Sequence, residues 1–496
     1  MSGQGPLLLA IDGGTQSTKV ALFDLHGSEV CAHSVKLRPM DLDGEGRAEH
    51  PDDDLWDSLV AACRGLFAAF EGDRAAIIGV GLGSIRCCRA LIREGGTLAA
   101  PVQSWMDQRL SRPYVHQDDR VKSVTTATGY LTHRLTGERK DTRSNYVGPW
   151  PIDPDTLDWI EDRDRFRAFT TPRALLFDLV DPAMVLGHVT RTASQATGIP
   201  HGTPVVSTAN DKAVEGLGAG LTDDGTLLVS LGTYITSMMI ADQGASPSDA
   251  YWTNPGALPG EFLHESNGIR RGMATVSWII ELLGGDLAAA ASGKGLSPEA
   301  YLNHIAARDV PPGSDGLFTV LNWLAPPARP HERGLMIGFT ANHRGAHMFR
   351  SAIEGIAMTM RNHAEAMCDA RGVAPARVVV SGGGANGDLV MQVIADVFGI
   401  PAQRNRVAGS ASLGAAICTA LALGVYKSRE EAIKHMVHRR DVFDPIPQNV
   451  SLYKELNEQV YRKLSTRTDD LLRRSHDILR DGADLNRPGF AGGRLG

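Results

Sequence analysis

The chain has 496 residues, with 50 Lys and Arg against 57 Asp and Glu and a formal net charge of −7. That length exceeds what a single hydrophobic core fills and asks for two large domains. The acidic balance offers no electrostatic attraction to DNA, RNA or an anionic membrane, so neither nucleic acid nor membrane is an expected partner.

Leu7 to Ile11 is a short apolar run, expected as a buried strand. Asp12-Gly13-Gly14-Thr15 turns the chain, and Val20–Leu25 and Val30–Leu37 read as the next two strands. A helix opens after Pro51 and three aspartates, which suit the positive end of a helix dipole. Its apolar positions, Leu55, Trp56, Leu59, Val60, Cys63, Leu66, Phe67 and Phe70, have helical spacing. Ile77–Leu82 is a further strand. Cys87 and Cys88, read as strand neighbours, would face opposite ways and make poor joint ligands.

A strand, Gly-Thr turn and strand recur at Thr226–Ser230, Leu231-Gly232-Thr233 and Tyr234–Ile240. This repeat suggests two related domains, 1–220 and 221–496, divided near Gly220. Arg377–Val380 is a strand entering Ser381-Gly382-Gly383-Gly384-Ala385-Asn386, with a helix after it. A helix of small residues follows Ser410. Residues 451–482 read as one long amphipathic helix, and Asn486–Gly496 as a loose tail. No apolar run approaches the ~20 residues that span a bilayer. Met1 to Pro6 lack a signal-peptide pattern, and the six cysteines form no CxxC pair, so reduced thiols in a cytoplasmic protein are expected.

Three glycine-rich turns carry chemistry. The first, Asp12 to Lys19, presents the backbone of Gly13 and Gly14, the hydroxyls of Thr15 and Ser17, and the side chains of Gln16 and Lys19. Such a turn can cradle phosphate oxygens. Asp12 could hold Mg²⁺ directly or through water. Gly232-Thr233 would clamp phosphate from the other domain, and Gly382 to Ala385 would let backbone lie flat against a purine or ribose. Asp211 follows an apolar strand, Pro204–Val206, and precedes Gly216, Gly218 and Gly220. A carboxylate so placed can accept a proton from a substrate hydroxyl.

Together these segments resemble the FGGY carbohydrate kinases of the actin, Hsp70 and sugar kinase superfamily, from about Leu7 to about Tyr426. The resemblance implies an α/β fold of two ribonuclease-H-like domains with an interdomain active-site cleft. It implies ATP bound by Gly13, Gly14, Thr15, Gln16, Ser17, Lys19, Gly232, Thr233, Gly382, Gly383, Gly384, Ala385 and Asn386. Mg²⁺ would be held by Asp12 and Asp211, with Asp211 also the catalytic base. Trp105-Met106-Asp107-Gln108-Arg109 is similar to the family's sugar-binding segment, so Trp105 would pack on the sugar and Asp107 bond its hydroxyls. The stretch Gly334 to Glu354, with Gly338, His347, Ser351 and Glu354, is similar to the family's C-terminal signature.

Arg86 matches the glycerol-kinase choice at its position, whereas Cys87 matches neither glycerol kinases nor xylulokinases. The expected reaction is transfer of the ATP γ-phosphoryl to a small sugar, a ketose such as a pentulose, with Arg86, Trp105, Asp107 and Asp211 at the acceptor. A polyol kinase of the same family, a non-kinase actin- or Hsp70-like ATPase and a sugar sensor are the alternatives. A homodimer is the default assembly.

Overall fold

Two mixed sheets dominate the computed structural model, which describes residues 5–43, 46–241, 248–326 and 328–483. The first holds β1 (Leu7–Gly13), β2 (Ser17–Asp24), β3 (Glu29–Lys36), β4 (Ile77–Ser84), β5 (Val185–His188) and β6 (Pro204–Ser207) in the order β5-β6-β4-β1-β2-β3. The second holds β7 (Thr226–Leu231), β8 (Ile235–Ala241), β9 (Tyr251–Pro255), β10 (Phe262–Ser266), β11 (Arg377–Ser381), β12 (Ala402–Asn405) and β13 (Arg439–Phe443), ordered β9-β10-β8-β7-β11-β12-β13. In each, the opening strand pairs antiparallel across a glycine turn and parallel with a later strand: β1 with β2 and β4, β7 with β8 and β11. The repeat seen in the sequence is therefore a repeat of topology.

The helix after Pro51 is α1 (Asp54–Ala69), which buries Leu55, Leu59, Cys63 and Leu66 against the first sheet. Its first turn carries Asp54 and Asp57, the charge preference expected there. Between the sheets lie two helices, α2 (Asp211–Ala219) and, much later in the chain, α3 (Ser410–Ala422). They touch backbone to backbone: a Cβ on Gly218 would lie 1.9 Å from the Ser410 carbonyl, and one on Gly414 would lie 1.9 Å from that of Val214. Likewise α3 sits directly on β4, where a Cβ on Gly81 would come within 2.3 Å of the Ala415 carbonyl. The strands change sheet between Ser207 and Thr226, but α3, from the second half of the sequence, packs on the first sheet. The halves interlock rather than separate cleanly at Gly220.

Several readings need correction. Cys87 and Cys88 lie in the turn after β4, with Cys87 in the left-handed region at φ 56°, rather than side by side in a strand. The terminal helix read over 451–482 is continuous, running from Pro447 to Ala483 with one π turn at Asn457–Tyr461, where the Tyr461 hydroxyl donates to the Thr319 and Gly355 carbonyls. The tail Asn486–Gly496 and residues 1–4 lie outside the described residues. Gly272–Ser292 is a 21-residue helix with a most apolar window of mean hydropathy 1.3, more than the sequence reading allowed. It is kinked at Gly284 (φ 75°) and packs beside Pro298–Asp309 and Gly345–Arg371.

An unanticipated five-stranded sheet, Asp41–Leu42, Ala48–His50, Leu98–Gln103, Arg89–Arg93 and Val121–Thr125 in spatial order, flanks the first domain. Trp105–Arg109 leaves the end of its Leu98–Gln103 strand. The signature stretch has a structural job. Buried Glu354 accepts bonds from the Gly313 amide (3.0 Å), Ser314 (2.8 Å), Arg350 (2.8 Å) and Tyr453 (2.7 Å). Ser351 joins Thr319 at 2.7 Å, and Gly338 has φ 108°.

Candidate active site

Asp12 ends β1, opposite Lys19 on β2 and Gly83 on β4. The turn beyond it is closed by the Gly14 amide donating to the Ser17 carbonyl at 2.9 Å. Gly13 has no room for a side chain, since a Cβ would stand 2.7 Å from Ser84 Oγ. Thr15 accepts a bond from the Trp105 indole at 3.3 Å, which joins the first phosphate-type turn to the acceptor segment. Gln16 is exposed and its carbonyl accepts from the Leu37 amide. Lys19 is paired with Glu29 at 2.8 Å and lies beside Gly409. Burial pushes the Asp12 carboxyl up to about 6; nearby Asp211 and Glu215 add to the rise, and Lys19 and Lys212 oppose it.

Asp211 is the first residue of α2. Asn210 caps that helix, its side chain accepting from the Lys212 and Ala213 amides at 3.1 Å each. Asp211 Oδ1 is buried with no hydrogen-bond partner among the described residues. Burial raises its pKa, against the pull of Arg86 and Lys212. A part-exposed carboxylate with an unbonded acceptor atom is equipped to take a proton or to face a cation.

Arg86, beside it, links the halves. Its guanidinium meets Glu265 through two bonds, at 2.6 and 2.8 Å, and Asn254 at 2.9 Å, while its Nε stands 3.9 Å from Asp211 Oδ1. Asn254 also donates to Glu265 at 2.9 Å. Glu265 has 0% side-chain exposure and Arg86 18%. Although burial opposes it, this guanidinium holds the Glu265 carboxyl below the usual carboxylate range. Glu265 and Asn254 lie on the antiparallel pair β9 and β10. Neither was anticipated, because their partner is more than 160 residues away in sequence and a lone Glu in a strand carries no signal.

The acceptor segment differs from expectation at Asp107. Its side chain has 0% exposure and is held by Arg109 (2.9 and 2.6 Å), the Arg109 amide (2.9 Å) and the Ala48 amide (2.9 Å). Burial alone would raise its pKa, but these bonds lower it. Asp107 therefore presents no atom to a sugar in this conformation. Arg109, 34% exposed and also bonded to Glu49 at 2.5 Å, is the group it orients.

On the second half, Gly232 and Thr233 turn β7 into β8. Their carbonyls accept from the Met273 (3.1 Å) and Gly272 (2.8 Å) amides, which open the next helix. Gly382 follows β11 at φ 86°, where a Cβ would lie 2.5 Å from the Leu231 carbonyl. Gly383 and Asn386 are exposed, Gly384 and Ala385 are buried, and the Ala385 and Asn386 carbonyls are held by Arg404. The Gly382–Asn386 turn thus packs on Leu231, the residue before Gly232. Beneath them Lys212 and Glu215 of α2 reach Ser230 and Ser381, the last polar residues before each turn.

Comparison with known proteins gives the chain's family. Residues 227–423 match the family model of the FGGY family of carbohydrate kinases, C-terminal domain. The chain is 48% identical over 474 residues to the uncharacterized sugar kinase YgcE of Escherichia coli (strain K12), covering 95% of this chain and 96% of that one. It is 25% identical to the xylulose kinase of Lactococcus lactis subsp. lactis (strain IL1403), over 92% of this chain and 97% of the relative. The crystal structure of a xylulose kinase from Rhodospirillum rubrum superposes with a TM-score of 0.76 at 23% identity, covering 94% of this chain and 100% of that one, a likeness of fold.

Proposed function

Because the chain belongs to the FGGY family of carbohydrate kinases, we propose that this sugar kinase, a phosphotransferase with ATP as cosubstrate, uses Asp211 as the base for an uncharged acceptor. The acceptor is a small ketose such as a pentulose. The observation that carries this reading is the position of Asp211, with a spare Oδ1 at the start of α2 and 3.9 Å from a guanidinium tied to the opposite half. Phosphoryl transfer asks the protein mainly to position groups and to stabilise charge, and a base need only orient and deprotonate one hydroxyl.

The chain's own groups divide the work. Asp211 accepts the hydroxyl proton. Arg86 keeps that carboxylate in place, and Trp105, anchored to Thr15, forms an apolar wall. The Asp12–Lys19 turn and Gly232-Thr233 offer backbone donors to phosphate oxygens, and Gly382 to Asn386 receive the nucleoside. Held between the halves, the reacting groups are kept from water, which would otherwise hydrolyse ATP. Glu265 pairs with the Arg86 guanidinium that stands beside Asp211, which supports a neutral acceptor over a sugar acid.

Mg²⁺ fits the residues present. Asp211 is close enough to Asp12 to raise the cost of charging that carboxyl, and Asp211 Oδ1 has no hydrogen-bond partner among the described residues. Among the described residues no group of three or more His, Cys, Asp or Glu forms a metal cage. That suits an ion held by one or two carboxylates plus waters and substrate phosphates, where it would screen phosphate charge. The test is ADP release with a panel of pentuloses, hexuloses, polyols, glycerol and aldonic acids. A neutral ketose is expected to stimulate it, and stimulation by an aldonic acid alone would overturn the neutral-acceptor reading.

A further inference from the structure

Beyond Asp211, helix α2 carries two charged residues, Lys212 and Glu215, one turn apart in an otherwise small and apolar stretch. Both are 9% exposed. Lys212 Nζ donates to Glu215 Oε2 at 3.0 Å and to Ser230 Oγ at 2.7 Å. Ser230 also bonds Glu215 Oε2 at 2.9 Å, and Ser381 donates to Glu215 Oε1. Ser230 belongs to β7 and Ser381 to β11, neighbours in the second sheet at matched register. Ser230 is the last residue but one of its strand and Ser381 the last of its own, ahead of Gly232-Thr233 and Gly382 respectively. The helix that begins with Asp211 is thus pinned at one buried point to the roots of both ligand-facing turns of the other half.

We propose that Lys212 and Glu215 are a positioning pair that sets the distance and angle between Asp211 and the Gly232-Thr233 and Gly382 turns. The proposal rests on the kinase reading above. Neither residue is asked to touch the acceptor. A buried ion pair is a poor device for stability alone, because an apolar pair of similar volume is often as stable. What such a pair supplies is direction: an ammonium and a carboxylate satisfied by two serine hydroxyls allow one register of helix against sheet. Packing alone, with glycines at the α2–α3 contact, leaves α2 freer to slide. Misplacing a base by about 1 Å costs on the order of 100-fold in rate.

The experiment compares the full-length protein with Glu215→Gln, Lys212→Met and the apolar double variant Lys212→Met/Glu215→Leu. Four quantities are read: kcat, KM for ATP and acceptor, acceptor-free ATP hydrolysis, and Tm. The expected result is a roughly 10- to 100-fold fall in kcat for each variant. The KM values should stay within about threefold, and more ATP should be hydrolysed per phosphoryl transferred. The double variant should keep a wild-type Tm and still show the loss, which separates positioning from folding. Recovery of kcat with Tm in the double variant would overturn the proposal. If no acceptor stimulates the wild type, the acceptor reading fails, and the pair is then judged on acceptor-free ATP turnover alone, failing if that is the same in wild type and double variant.

Discussion

Removing Glu265 should uncouple the two halves at the acceptor side. Its carboxylate has 0% exposure, and Arg86 directs bonds of 2.6 and 2.8 Å to it. In Glu265→Ala the guanidinium keeps only Asn254 at 2.9 Å and Asp211 at 3.9 Å. Stripping one partner from a buried pair costs about 3–5 kcal/mol, against about 0–1 kcal/mol for an exposed pair. Glu265→Gln keeps one acceptor oxygen but no charge, and should lose roughly 1.5–3 kcal/mol, the worth of a hydrogen bond to a charged group. Urea unfolding followed by circular dichroism measures both, and a double-mutant cycle with Arg86→Ala should return a coupling of about 2 kcal/mol or more. An alanine variant within about 0.5 kcal/mol of wild type would refute the clamp, since that is the scale of an ordinary surface substitution.

Two further outcomes follow from packing and protonation. Gly218→Ala should lower Tm by several degrees, since its Cβ would meet the Ser410 carbonyl at 1.9 Å and force α2 from α3; an overpacked core costs about 1–3 kcal/mol. His264 is buried, stacks on Tyr251 at 4.5 Å and has no hydrogen-bond partner for either ring nitrogen among the described residues. Burial, with Arg371 adding, pushes its pKa down to about 4, so the unfolded chain takes up this proton first. Its contribution is whole above about pH 6.5 and is lost as pH falls towards 4. His264→Phe should therefore lose less stability than wild type between pH 6.5 and 4 in thermal melts. An unchanged pH slope would contradict the assignment.

The parts legible in the sequence are those written in local pattern. Alternation and glycine punctuation marked β1, β2, β7 and β8, and helical spacing marked α1. The three turns were visible because a backbone that approaches a ligand closely needs glycine. What depends on partners distant in sequence was not legible. Glu265 looks like any strand Glu until β9 and β10 bring it and Asn254 to Arg86. Asp107 looked free because the Ala48 amide, which encloses it together with the Arg109 fork, comes from a small sheet whose strands are two to six residues long. The π turn inside the terminal helix at Asn457–Tyr461, where Tyr461 reaches Thr319, likewise has a tertiary setting that local pattern does not show. Lys212 and Glu215 did leave a trace, two charges one turn apart among glycines and alanines, which is unusual for a helix so apolar.

The most direct test of the account is magnesium-dependent ADP release across the acceptor panel, with wild type and Asp211→Asn side by side. One neutral sugar should stimulate the wild type strongly. The variant should bind that sugar and ATP yet turn over about 10²- to 10⁴-fold more slowly, the usual contribution of a positioned base. Near-normal turnover by Asp211→Asn would contradict the assignment of Asp211 as the base.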